Sequence, residues 1–208
     1  MAVDYARGMT RDAPSVWERS RRLAGQEILD TAVRLFTTQG YDETTTSQIA
    51  QEAGVSQRTL FRYFGTKEDL VFSEGAALGE LMKRTVDTQP ADVSAWTALR
   101  NGFAATFAAT HSPEQTLVLS ALTFRTPSLH AGYVQRRLLW QIDLMPSIRT
   151  RLHAAGREGL AADHEARTVI AVSFACADAA TATWAASGGT ADAFKLYDES
   201  IALVRAST

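Results

Sequence analysis

The chain has 208 residues, 46% of them hydrophobic, enough for a sizeable core in one domain or two small ones. Its formal net charge of −2 excludes nucleic-acid binding through bulk positive charge, so any DNA contact must come from a local patch. A single cysteine, Cys176, excludes an internal disulfide, and its apolar neighbours predict a small buried hydrophobe.

Residues 1–15 read as a flexible polar arm carrying Arg7 and Arg11, without the apolar centre of a signal peptide. Arg19, Arg21 and Arg22 follow, and then Ala24, Ile28, Ala32, Leu35 and Phe36 form one helical stripe that ends at Gln39-Gly40. Thr45-Thr46-Ser47-Gln48 is a capping-box pattern, which predicts a short second helix reaching Ala53-Gly54. Ser56 is placed to cap a third short helix, and Thr66 a fourth running over 66–87 with Glu68 and Asp69 in its first turn. Trp96, Leu99, Phe103 and Phe107 share a face of the next helix, and Ser112-Pro113-Glu114-Gln115 combines a capping box with a proline at the first helical position. Thr126-Pro127 opens a long segment that Pro146 should kink or split. Asp163 is expected to cap the helix that ends at Gly188-Gly189, and Thr190 the last one. The most apolar run, residues 168–187, is interrupted by Asp178, so no membrane span is expected and the reading is cytoplasmic.

The informative stretch is residues 40–70, GYDETTTSQIAQEAGVSQRTLFRYFGTKEDL. Two short helices joined through Ala53-Gly54-Val55 make a helix-turn-helix, with Gly54 supplying the tight turn. Ile49, Ala50, Ala53, Val55, Leu60 and Phe64 are its expected core. On a helical wheel Leu60 and Phe64 face inward, Arg58, Thr59 and Arg62 face outward, and Gln57, Phe61 and Tyr63 lie on the flanks. Arginine suits the edge of guanine, glutamine that of adenine, and threonine a phosphate or a thymine methyl, so this face fits a major groove. Thr45, Thr46 and Ser47 sit at a helix N-terminus, where hydroxyls and backbone N–H groups hold a phosphate; Ser56 is counted with the DNA-binding residues, and the Tyr63 phenol adds a phosphate hydrogen bond. Lys67 places a cation in a first helical turn, against the helix dipole, and a DNA phosphate would offset that penalty. Residues 1–70 as a whole carry nine Lys and Arg against ten Asp and Glu, so only the proposed face is basic.

The pattern G-Y-x-x-T-T-x-x-x-I-A-x-x-A-G-V-S-x-x-T-L-F-x-Y-F-x-x-K-E-x-L closely resembles that of the tetracycline-repressor (TetR-like) regulators, and with the preceding helix it covers about a third of the chain. The resemblance implies an all-α protein. A three-helix DNA-binding domain (16–65, after the 1–15 arm) would be followed by a helical ligand-binding and dimerisation domain (66–208). It implies a homodimer held by the last two helices on a palindromic double-stranded operator, repression by default, and release by a small effector. The run from Val55 to Phe64 resembles members that sense apolar or acyl-type compounds.

For the effector, the candidate lining is Trp96, Phe103, Phe107, Phe124, Trp140 and Met145, with Asp143 and Asp178 as polar groups. A helical aromatic stripe is more often plain core. Ala171, Ala175, Asp178, Ala182 and Ala185 form a smooth row suited to a twofold copy or to packing within one subunit. The four histidines lack metal-ligand spacing, and there is no Walker loop, dinucleotide fingerprint or nucleophile elbow, so no metal, cofactor or enzymatic site is expected. A helical enzyme and a non-specific architectural DNA binder stay open as alternatives; the net charge weighs against the second.

Overall fold

The computed structural model describes residues 16–109 and 112–206, and every regular element among them is α-helical. Residues 1–15, with Arg7 and Arg11, lie outside the described residues, as do the side chains of Arg19 and Arg22. The helices are α1 (Val16–Gln39), α2 (Thr46–Glu52), α3 (Gln57–Tyr63), α4 (Lys67–Val71) and α5 (Gly75–Asp87), then α6 (Ala95–Ala108), α7 (Pro113–Arg125), α8 (Pro127–Ala154), α9 (Gly159–Ala186) and α10 (Ala193–Ala206).

Two apolar cores organise them. The first gathers Ile28, Leu35 and Phe36 of α1, Ile49 of α2 and Leu60 of α3. It extends to Leu70 and Val71 of α4 and to Leu129 of α8, so packing carries the reading head past residue 65. The second core joins Met82 and Val86 of α5, Leu99 and Phe103 of α6, Leu144 and Ile148 of α8 and Ile170 and Phe174 of α9. Here α9 is the central helix, touching α6, α7, α8 and α10. By length and mean hydropathy (1.4) α9 would suffice to cross a bilayer, Asp178 notwithstanding; half of that apolar window is buried, as suits a core helix. Of its small-residue row, Ala171 and Ala175 are exposed, Asp178 and Ala182 half-buried, and Ala185 buried.

Several boundaries differ from the sequence expectation. The predicted fourth helix is two helices, α4 and α5, separated by Phe72–Glu74. Its Thr66 start does form a reciprocal capping box with Asp69. Pro146 neither ends nor splits α8, because Leu144, Ile148 and Leu152 are buried on either side and packing outweighs one missing hydrogen bond. Asp163 lies inside α9, which starts after Glu158, and it is spent on an ion pair to Arg149 of α8 (2.7 Å). Asp192, not Thr190, caps α10, accepting from the Phe194 and Lys195 amides at 2.9 and 3.0 Å; the Thr190 hydroxyl donates back to the Ser187 carbonyl. Ser112 does cap α7, but Gln115 does not complete a box, since its amide donates to Asp30 of α1 (2.5 Å).

One buried charge holds the second core together. The Arg151 guanidinium of α8 is 7% exposed and donates to the carbonyls of Val86, Gln89 (2.9 Å), Pro90 (2.7 Å) and Val93 (3.3 Å). It thereby satisfies carbonyls at and beyond the C-terminus of α5, where the helix dipole also favours a cation.

Candidate DNA-reading face and effector cavity

The helix-turn-helix is built from local rules that agree with one another. Thr45 caps α2 through a reciprocal box with Gln48. At the turn Gly54 adopts φ +65°, a left-handed conformation that costs a glycine little, and the Val55 amide returns to the Ala50 carbonyl at 2.9 Å. Ser56 caps α3 by accepting from the Thr59 amide (3.1 Å), and the two hydroxyls lie 2.9 Å apart. Leu60 is fully buried, and this pins the rotation of α3.

That rotation leaves Gln57, Arg58 and Arg62 exposed, with Thr59 half-buried and Phe61, at 46%, an apolar neighbour on the flank of the face. Among the described residues no carboxylate pairs with Arg58 or Arg62. Tyr63 is half-buried, with the guanidinium groups of Arg62 and Arg21 at 5.7 and 5.9 Å from its ring centre. Thr45 and Thr46 stand at the start of α2, exposed and half-buried respectively. The face is a set of hydrogen-bond donors with two uncompensated charges, presented by a helix short enough to enter a groove.

Lys67 has a different setting from the one expected. Its ammonium donates to the carbonyls of Tyr41 (2.8 Å) and Thr44 (3.1 Å) and sits 4.0 Å from the Tyr41 ring centre. These contacts account for a cation in a first helical turn without a DNA phosphate. The Tyr41 phenol donates to Glu68 (2.8 Å), and burial, reinforced by that carboxylate, pushes its ionisation far above the ordinary value. Burial alone would raise the Glu68 carboxyl. Its own amide, the Tyr41 hydroxyl and Lys67 outweigh that and hold it below the usual range. The third residue of this turn, Asp69, caps Thr66 with one oxygen and accepts from Arg136 of α8 (2.8 Å) with the other. Three consecutive side chains thus tie α4 back to the reading head and forward to α8.

Directly behind this junction lies a mostly apolar cavity of about 210 Å³ between α1, α4, α5, α7 and α8. A dry cavity of about 150 Å³ takes benzene, so this one admits a somewhat larger body. Phe72, Leu78, Leu119 and Phe124 provide carbon surface. Trp140 lies against Gly79, where an added Cβ would come within 2.6 Å of the indole nitrogen. Tyr133, Arg136 and Arg137 supply the main polar edge. Arg137 donates to the Tyr133 hydroxyl (2.6 Å) and the Phe174 carbonyl (3.0 Å), pairs with Asp178 at 3.0 Å, and stacks 4.3 Å from the Phe174 ring centre. Its Nε is buried without an acceptor.

Of the expected lining, Phe124 and Trp140 reach the cavity, and Asp178 stands one bond behind it through Tyr133 and Arg137. The others do not line it. Phe103 is core against Phe174 and Tyr197, and Phe107 packs edge-on to Trp184 and Phe194. Trp96 and Met145 pack on the outside of the second core, and Asp143 is exposed. The reason is geometric: the aromatic face of α6 is consumed filling the second core, while the cavity opens toward the first. Tyr133, Arg136 and Arg137 went unread. Their signal was a tandem arginine in an apolar stretch, with Tyr133, Arg137 and Trp140 at i, i+4 and i+7.

Residues 28–73 match the family described as bacterial regulatory proteins, tetR family. The HTH-type transcriptional regulator TcmR of Streptomyces glaucescens is 29% identical over 165 residues, covering 76% of this chain and 70% of the relative. The HTH-type transcriptional regulator HbdR of Aromatoleum sp. (strain CIB) is 48% identical over 46 residues, 22% of this chain and 20% of that one. Among solved structures, the transcriptional regulator FadR from Bacillus subtilis in complex with stearoyl-CoA shares the fold, with a TM-score of 0.57 and 21% identity over 86% of this chain and 96% of the other.

Proposed function

We propose that this chain, whose residues 28–73 match the tetR family of bacterial regulatory proteins, is a repressor of that family, whose α3 reads a near-palindromic operator and whose cavity takes the releasing effector. The observation that carries the reading half is the pair Arg58 and Arg62, held outward by buried Leu60 and unmatched by any carboxylate among the described residues. In this reading both arginines pair with base edges, Gln57 and Thr59 refine the choice of base, and Ser56, Tyr63, Thr45 and Thr46 serve the backbone. Lys67 acts indirectly, by fixing the chain from Tyr41 to Thr44 ahead of α2. A protein that acts on the chromosome belongs in the cytoplasm.

Two copies would meet through α9 and α10, where Ala171, Ala175 and Ala179 of α9 and Val204 of α10 are exposed. The outer side of α8 adds Leu138, Leu139 and Ile142, the last 64% exposed, and Ile142 shares a surface hollow with Arg167 of α9. An effector in the cavity touches α1, α4 and α8 at once, so it is placed to change the spacing of two reading heads. Release requires that it bind the DNA-incompetent arrangement more tightly.

The test is selection of genomic fragments by the purified protein at physiological salt, beside the Arg58→Ala, Arg62→Ala double variant. A shared inverted repeat, enriched by the native chain and absent with the variant, is the expected result. Equal enrichment of unrelated fragments by both proteins would instead indicate backbone binding alone.

A further inference from the structure

The chemistry of the cavity narrows the class of its ligand, an inference that rests on the effector reading above. Two guanidinium groups, Arg136 and Arg137, line it against one carboxylate, Glu74. They are held differently. Arg137 is 11% exposed and locked by Tyr133, Asp178 and the Phe174 carbonyl, yet its Nε–H has no acceptor. Arg136 is braced against the Phe72 ring at 4.4 Å, and its partner Asp69 comes from outside the cavity, in the first turn of α4. That pair is 34% and 41% exposed, so water already competes for it and exchange of one anion for another costs little.

We propose that the effector is an apolar molecule of one to three rings, or a comparable acyl body, bearing one anionic group, and that this group takes Arg136 from Asp69. The carbon body fills the space among Phe72, Leu119, Phe124 and Trp140, while the anion lies at the Arg136–Arg137 edge. Losing Arg136 removes the charged tie between α8 and α4 and leaves only their apolar packing, through Leu70, Val71 and Leu129 of the first core. Asp69 keeps its bonds to Thr66, but its turn is no longer held to α8 by a charge. Lys67 and Glu68, the two residues before Asp69, hold the Tyr41–Thr44 segment ahead of α2, so the loss is transmitted to the reading head. A neutral ligand of the same shape would fill the cavity and leave this tie in place.

The experiment uses the full chain and two fluorescent probes that differ by one sulfonate: 1-anilinonaphthalene-8-sulfonate and uncharged N-phenyl-1-naphthylamine. The expected result is at least about tenfold tighter binding of the sulfonate. Arg136→Met abolishes that preference and keeps the affinity for the neutral probe, which shows that the cavity is intact. Asp69→Asn moves the other way, tightening the sulfonate several-fold and leaving the neutral probe alone, whereas a loosened fold would raise the binding of both. Equal binding of both probes, unchanged by either substitution, overturns the anionic class while the cavity reading survives. If neither probe binds, the effector-cavity reading falls and this inference falls with it.

Discussion

Arginines in the two halves of this molecule live in opposite surroundings. On α3, Arg58 and Arg62 are exposed and unmatched by a carboxylate among the described residues. In the second half, Arg151 is consumed by four carbonyls, Arg137 by Asp178 and aromatic faces, and Arg136 by Asp69. An unspent charge, exposed and without a carboxylate partner, contributes little to folding, the contact of Arg62 with the Tyr63 ring included, and is available to an outside partner. A spent one supports the fold, and acts as a sensor only where its bond is exposed enough to exchange, as at Arg136.

The sharpest way to break this comparison is to remove a spent charge and an unspent one and see whether the losses separate. Arg151→Met should cost about 3 kcal/mol or more of stability, because buried carbonyls at the end of α5 lose their donor. A denaturant titration followed by far-UV circular dichroism reads this, and a loss below about 1 kcal/mol would mean that water replaces the guanidinium. Arg58→Ala or Arg62→Ala should cost roughly 1–3 kcal/mol of operator affinity each while stability stays within about 0.5 kcal/mol.

Lys67→Met sits between these extremes, since its ammonium joins two carbonyls and an aromatic face in a half-buried site. A stability loss of about 1–2 kcal/mol is expected, with an operator affinity that falls alike for all sequences. An unchanged salt dependence of binding is expected for this indirect role; a salt slope reduced by about one would place Lys67 on a DNA phosphate directly.

The smallest effect is a pH dependence. Glu68 has its folded ionisation held below its unfolded value, so its contribution is present above the unfolded pKa and is lost as pH falls through the folded one. Glu68→Gln should therefore flatten the acid limb of the stability profile below about pH 4–5 and leave neutral pH little changed. A profile identical to the native chain's would show that the Tyr41–Glu68 bond does not matter to the fold.

How legible each half was in the sequence follows the same division. The reading head obeys local rules: the Thr45 box, Gly54, the Ser56 cap and the inward Leu60 are all set within a few residues, and the helix-turn-helix stands where the pattern places it. The second half is decided by distant partners. Asp163 looked like a cap and is an ion-pair partner of Arg149; Gln115 looked like half a capping box and reaches Asp30 of α1. Phe103 and Trp140 read alike as aromatic residues on helices, yet one fills the core and the other walls the cavity. Which of them meets a ligand depends on how α1 and α4 close against α7 and α8, and no helical period encodes that. The break at Phe72–Glu74 and the survival of α8 through Pro146 are likewise outcomes of tertiary packing.

The most direct test of the central claim is a base-by-base one. Once selection has supplied an operator, its base pairs are substituted singly and the affinities of the native chain and of Arg58→Ala and Arg62→Ala are measured for each duplex. Discrimination lost by each variant at its own one or two positions, and kept elsewhere, is the predicted result. Uniform weakening at every position would make both arginines phosphate contacts and contradict the account of α3 as the reading helix.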